Sequence, residues 1–175
     1  YPGQRGQIDV KLVPASCLVG EAEGQKFYQY TFIDEYSRFR YLEAFDEHST
    51  YTSAQFIRHV VEKFPYAIEC IQTDNGLEFT NRLTSKKPKP TLFERTLEQL
   101  GIQHKLIRPF TPRHNGKVER SHRKDNEEFY AVRKFYSFED FKKQLAVRQR
   151  QYNNFPMRPL NWKSPKHVLF SYPNV

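Results

Sequence analysis

A mixed α/β domain, a sheet flanked by helices, is the fold class this chain predicts. Three observations carry it. The chain opens with three strand-like segments rich in aromatic and β-branched residues, and the second and third are joined tightly enough to form an antiparallel hairpin. Strand–helix–strand units follow, and the chain closes on segments with helical spacing.

Taken in order, residues 7–13 alternate, with Ile8, Val10 and Leu12 on one face and Asp9 and Lys11 on the other, which predicts a half-buried strand. Residues 14–24 carry Pro14, Gly20 and Gly24 and read as a loop. Residues 25–34 and 38–45 are strands across the turn Glu35-Tyr36-Ser37. Ser49-Thr50 offers an N-cap for a helix over 51–63, with Phe56, Val60 and Val61 on its buried side. A short apolar strand spans 67–73, and the polar, basic, proline-punctuated stretch 80–90 is a loop. Leu92, Phe93, Thr96, Leu97 and Leu100 have helical spacing, and Gly101 is a C-cap. A last strand covers 102–107, and a loop with Pro and Gly covers 108–116. A charged helix is expected over 116–133 and another over 137–152, with Ser137 as N-cap and Phe138, Phe141, Leu145 and Tyr152 as apolar positions. The tail, with Pro156, Pro159 and Pro165, is expected to run extended around the domain.

The 175 residues suit one domain with a real core. A net charge of +8 points to a polyanionic partner, of which nucleic acid is the commonest. Two cysteines make no disulfide framework, and Cys70 reads as a small core residue, so the chain fits a reducing cytosol. No apolar run is long enough to span a membrane. The abrupt start at Tyr1-Pro2-Gly3 reads as a fragment of a longer protein.

Three acids sit on three separate elements. Asp9 interrupts a strand, Asp74 ends one at the turn Asp74-Asn75-Gly76, and Glu119 lies in the first turn of a helix. Such a set suits divalent-metal chemistry on phosphate, because Mg²⁺ is held by a few carboxylates together with substrate oxygens. Each acid also has a plainer reading. Asp9 fits a solvent-facing strand residue, Asp74 fits turn chemistry, and Glu119 fits the helix dipole. Asp34, Glu35 and Glu78 are rival acids, with a capping or turn role expected for Asp34. No histidine is paired with a Cys-x-x-Cys, so a zinc knuckle is excluded. Lys117, Arg120 and Arg123, on or near the acid-bearing helix, are candidate phosphate contacts, as are Lys86 and Lys87 in the basic loop. A solvated basic surface is the plainer reading of all five.

Five motifs stand in order: Gln7-Ile8-Asp9-Val10; Phe32-Ile33-Asp34-Glu35-Tyr36-Ser37-Arg38; Thr73-Asp74-Asn75-Gly76-Leu77-Glu78-Phe79; the run from Arg108 through Asn115-Gly116-Lys117-Val118-Glu119-Arg120; and Tyr152-Asn153-Asn154 with Arg158-Pro159-Leu160. Together they resemble the catalytic core of retroviral integrases, and most of all that of bacterial insertion-sequence transposases with an integrase-like core. The resemblance covers nearly the whole chain. It implies an RNase H-like fold with a five-stranded mixed sheet, residues 1–175 being the catalytic core. It also implies a DDE triad of Asp9, Asp74 and Glu119 binding two Mg²⁺ or Mn²⁺ ions, and transposon-end and target DNA as partners of a homo-oligomer. The setting it implies is the bacterial cytoplasm, at the nucleoid. Forty-four residues separate Asp74 from Glu119 here, against about thirty-five in the family, and the surplus is assigned to segment 81–91.

The expected activity is that of a polynucleotidyl transferase that cleaves a DNA end with water and then joins its 3′-hydroxyl to target DNA. A nuclease of the same fold that only hydrolyses is the alternative enzyme. A non-catalytic DNA-binding module is the alternative from another class, and three acids that repel phosphate argue against it.

Overall fold

The computed structural model describes residues 1–84, 86–107 and 116–173. Five strands form one sheet in the order β3-β2-β1-β4-β5. β1 (Gly6–Leu12), β2 (Tyr28–Asp34) and β3 (Arg40–Phe45) make the antiparallel part. β4 (Cys70–Thr73) and β5 (Gln103–Leu106) add on in parallel, so the sheet is mixed. The hairpin turn between β2 and β3 is closed by Asp34, whose buried carboxylate accepts bonds from the Ser37 backbone N–H at 2.7 Å, the Ser37 hydroxyl at 2.6 Å and the Gly3 N–H at 2.9 Å. That is the turn role expected for Asp34.

Helices cover both faces. α1 (Thr50–Lys63) starts at a capping box between Ser49 and Thr52, and α2 (Leu92–Gln99) at one between Thr91 and Glu94. Both lie over Ile8, Tyr30, Phe32 and Ile71, in a core to which Phe56, Ile57, Val60, Phe93 and Leu97 contribute. Val60 enters this core, whereas Val61, expected beside it, turns outward with 37% of its surface exposed. One residue is about 100° of helix, and that step carries Val61 out of the buried face that Val60 shares with Phe56 and Ile57. Cys70 is buried, as expected of a core residue.

α3 (Gly116–Asp125) and α4 (Phe138–Asn154) cover the other face. The expected helix over 116–133 is shorter. Regular α-helix stops at Asp125, and Asn126–Tyr130 continue as a π-helical turn that brings Phe129 and Tyr130 into a second core with Phe27, Phe135, Phe141 and Leu145. The alternation in β1 predicted its polar face to be the wet one, yet Gln7 is buried and Leu12 is 52% exposed. α3 packs on that polar face, which periodicity within one strand cannot reveal. The tail is not simply extended: it holds a 3-10 turn at Arg158–Leu160 and a short helix α5 (Pro165–Phe170), which puts Leu169 into the first core. The loop expected over 108–116 falls on residues 108–115, outside the described ones, before α3 begins at Gly116.

Helix α3 is fastened by a buried ion cluster at its last residue. Asp125 accepts from Arg40 Nη1 at 2.7 Å and Nη2 at 3.1 Å, from Arg148 Nε at 2.9 Å and from Gln29 Nε2 at 2.9 Å. Arg40 is fully buried, and its guanidinium lies 3.7 Å from the Tyr152 ring centre. Burial alone would raise the Asp125 carboxyl, but the two guanidinium groups and Gln29 hold it below its ordinary range. Removing one member of such a cluster leaves buried charge unpaired. Asp125→Ala is expected to lower the unfolding free energy by about 3–5 kcal/mol in urea titrations. The double variant Asp125→Leu with Arg40→Met is expected to recover part of that loss, because no unpaired charge then remains.

Candidate active site

The site begins with strand register. β1 and β4 are parallel neighbours, paired Gly6 with Ile71 and Gln7 with Gln72. Two residues further along each strand, the same register sets Asp9 beside Asp74, on the face that α3 covers. Each carboxylate spends one oxygen locally. Asp9 Oδ1 accepts the Val10 N–H at 2.9 Å, and Asp74 Oδ1 accepts the Gly76 N–H at 2.9 Å, which closes the Asp-Asn-Gly turn. Asn75 ties this turn to the end of β5 by donating to the Ile107 carbonyl at 3.1 Å.

The start of α3 is held by side chains of the sheet. Gln7 Oε1 accepts the Val118 N–H at 3.1 Å, an otherwise unpaired first-turn donor, and Gln7 Nε2 donates to Glu35 at 2.7 Å. Lys117 pairs with Glu35 at 3.1 Å. Glu119 follows Val118 in this turn and is exposed at the rim of the cleft.

Electrostatics join the acids. The Asp9 carboxyl is pushed up to about 7, first by burial and then by the charge of Asp74, with Glu78 and Glu119 adding to it. Asp74 is raised as well, by burial and by Glu78. Asp9 thus lies within the field of both Asp74 and Glu119. Among the described residues, however, no three His, Cys, Asp or Glu side chains close to metal-binding range. The donor chemistry fits a hard divalent cation: Asp9 on β1 and Asp74 just past the end of β4 offer carboxylate oxygens, and no cation neutralises Asp9 among the groups that shift it. Asp9, Asp74 and Glu119 are the residues available to hold it.

Three neighbours were not singled out in the sequence. His122 lies one helical turn beyond Glu119. Its Nε2 is 2.9 Å from the Thr31 hydroxyl and its Nδ1 is 3.5 Å from Asp9 Oδ2. Burial pushes this imidazole down to about 4, so at neutral pH it is uncharged and the contact with Asp9 is not an ion pair. Thr31 also accepts from Gln29, which donates to Asp125. A continuous polar chain therefore runs from Asp9 through His122, Thr31 and Gln29 to the buried ion cluster. Glu78, noted only as a rival acid, is paired with His48 at 3.0 Å and folds back over Gly76, where a Cβ would collide with its carboxylate. The single signal for His122 was its spacing three residues after Glu119 on a helix.

The candidate phosphate contacts divide. Lys117 and Arg120 line a cavity beside the acids, and Arg123 is exposed one turn after Glu119. Lys86 and Lys87 are exposed on a separate excursion before α2. That excursion is pinched at its base, where the Thr91 hydroxyl donates to the Phe79 carbonyl at 2.8 Å. Extra length in such an excursion leaves β4 and α2 in place.

Comparison with known proteins agrees with this architecture. Residues 2–112 match the family model described as Integrase core domain, and residues 100–165 match a second model of the same description. The chain is 29% identical over 174 residues to a protein of Spiroplasma virus SpV1-C74 named "Putative integrase ORF3", covering 94% of this chain and 47% of that protein. It thus spans about half the length of that curated relative. Among solved structures it is similar to the catalytic core domain of BIV integrase, with a TM-score of 0.65 and 16% identity over 96% of this chain and 94% of that one. It is similar also to the HTLV-2 integrase catalytic core domain in complex with magnesium, with a TM-score of 0.67 and 15% identity over 97% of each chain. A chain of the simian T-cell lymphotropic virus intasome gives a TM-score of 0.76 and 17% identity over all of this chain and 56% of that one. The five-stranded mixed sheet with helices on both faces is accordingly the RNase H-like fold of these cores. By the span of the matching model and the order of its strands, this chain belongs to the integrase core domain family.

Proposed function

We propose that this chain is the catalytic core of a DNA integrase or transposase that cleaves a DNA end with water and joins the resulting 3′-hydroxyl to target DNA. The observation that carries the reading is the parallel pairing of β1 with β4, whose register, carried two residues past Gln7 and Gln72, brings Asp9 level with Asp74, and the charge of Asp74 does act on Asp9. Family membership supports it. Asp9, Asp74 and Glu119 would hold Mg²⁺ or Mn²⁺, two ions in the reading from sequence. When bound, such ions acidify the attacking hydroxyl or water and stabilise the leaving oxygen of an in-line displacement.

The chain's own residues do the positioning. Val10 and Gly76 N–H groups fix one oxygen of each aspartate. His122, neutral and held by Thr31, stands against Asp9 Oδ2 without competing as a cation. Arg123, one turn from Glu119, and Lys86 and Lys87 are the exposed cations for DNA phosphates. A homo-oligomer is part of the same proposal.

The deciding assay is joining of duplexes with a 3′-hydroxyl end to a plasmid in Mg²⁺ or Mn²⁺. Joined product is expected with 3′-hydroxyl ends and none with 3′-deoxy ends. Asp9→Asn, Asp74→Asn and Glu119→Gln are each expected to cut joining roughly 10²-fold or more, the equivalent of several kcal/mol of lost transition-state stabilisation. Full joining by Asp74→Asn would overturn the assignment, and cleavage without joining would favour the nuclease.

Stability gives an independent check. Asp9 binds its proton more tightly folded than unfolded, so its contribution is greatest below about pH 4 and is lost as pH rises to about 7. In metal-free buffer Asp9→Asn is expected to be more stable than the parent at pH 7 in urea titrations, with the gap closing towards pH 4. Mg²⁺ is expected to stabilise the parent and not the variant.

DNA binding is expected to be salt-sensitive and largely sequence-independent, since the described residues include no helix-turn-helix or zinc module. Arg123→Ala or Lys87→Ala should each lower the slope of log affinity against log salt by about one unit. A strong preference for one duplex over its scrambled counterpart at physiological salt would contradict this.

A further inference from the structure

A cavity of about 870 Å³ opens next to the acids, and the chemistry above leaves it unused. Its floor includes Gln7 and Gln72, two residues before Asp9 and Asp74 on the same strands. Its cations come from four places: Arg5 and Lys105 at and in the sheet, Arg38 in the β2–β3 turn, Lys117, Arg120 and Lys124 along α3, and Arg158 in the tail. Glu35 is the one acid in its lining and is already shared by Lys117 at 3.1 Å and Arg5 at 4.0 Å. Arg38 Nη1 is buried with no hydrogen-bond partner.

Two aromatic side chains from the segment after α4 join the lining. Phe155 and Trp162 are 60% and 70% exposed, and Lys124 Nζ lies 5.5 Å from the Phe155 ring centre. Trp162 sits on a small closed loop, in which the Met157 N–H donates to the Lys163 carbonyl and the Trp162 N–H to the Met157 carbonyl, both at 3.0 Å. Asn161 and Trp162 both have left-handed backbone, with φ of 52° and 61°. A bulky residue in that region costs backbone energy. Burial of the indole does not recover that energy, because the ring stays in solvent at the cavity mouth.

We propose that this cavity binds one unstacked nucleotide of a DNA strand, with its phosphate on the Arg38 and Arg120 side and its base against Trp162 and Phe155. Cations alone would suit any polyanion. A flat aromatic surface facing them selects a ligand with both a phosphate and a planar face, and stacking of this kind tolerates any base. The volume is that of a small-ligand site. The proposal rests on the reading that DNA is the substrate of the neighbouring acids.

Trp162 is the single tryptophan of the chain, so its fluorescence reports the cavity directly. The chain is titrated with an oligothymidylate of about eight nucleotides, with an abasic oligomer of the same length, and with polyglutamate. Quenching is expected with oligothymidylate alone, while the abasic oligomer binds by anisotropy without quenching. Phe155→Ala and Trp162→Ala are expected to weaken oligothymidylate binding about tenfold and leave abasic binding unchanged. Arg38→Gln weakens both. Equal quenching by the abasic oligomer or by polyglutamate, no quenching on bound oligothymidylate, or unchanged affinity in Trp162→Ala would each overturn the proposal. The joining assay separates the two readings. Joining without quenching removes the cavity's role alone. Quenching without joining removes the assignment of the acids and leaves the cavity.

Discussion

The buried carboxylate of Asp125 is the constraint on which the rest of this molecule depends. It draws two guanidinium groups and one amide into a space without water, from β2, β3 and α4, while it ends α3 itself. A charge in that position is costly unless every partner is in place. The elements are therefore fixed relative to one another by one hydrogen-bonding requirement that no looser arrangement satisfies. Because α3 also carries Glu119, the position of the third acid over the sheet is set from six residues away along the same helix. The π-helical turn that follows lets Phe129 and Tyr130 reach their core without moving Asp125.

The polar face of β1 connects that anchor to the candidate site. Gln7 receives the first turn of α3, Asp9 meets His122, and Lys11 lies 5.5 Å from the Tyr130 ring centre. A strand that looks half-buried in isolation is thus covered on both sides, with aliphatic packing under α1 and polar contacts under α3. The difference matters for chemistry. Desolvation by α3, together with the neighbouring acids, is what holds Asp9 near neutrality.

The cationic cavity stands on the same scaffold. Its floor is the strand pair that carries the aspartates, and its wall is the outer face of α3. Acids and cations are segregated along one helix by its period: Glu119 and Arg123 point to one side, and Lys117, Arg120 and Lys124 to the other.

The sequence by itself determined the element order, the hairpin turn at Asp34, the caps at Ser49 and Ser137, and the candidacy of three acids on three elements. These depend on local chemistry: turn formation, capping and hydrophobic period act between residues a few positions apart. Motif order added the family and with it the sheet topology, which local signals cannot supply. Only the tertiary structure decided which face of β1 is wet, that helix 116–133 breaks at Asp125, and that Val61 faces solvent. It alone brought His122 to Asp9, Arg40 and Arg148 to Asp125, and Trp162 to the mouth of a cavity lined by α3. Each of these pairs residues far apart in the chain, or depends on what packs over a surface, and no period within one segment encodes that.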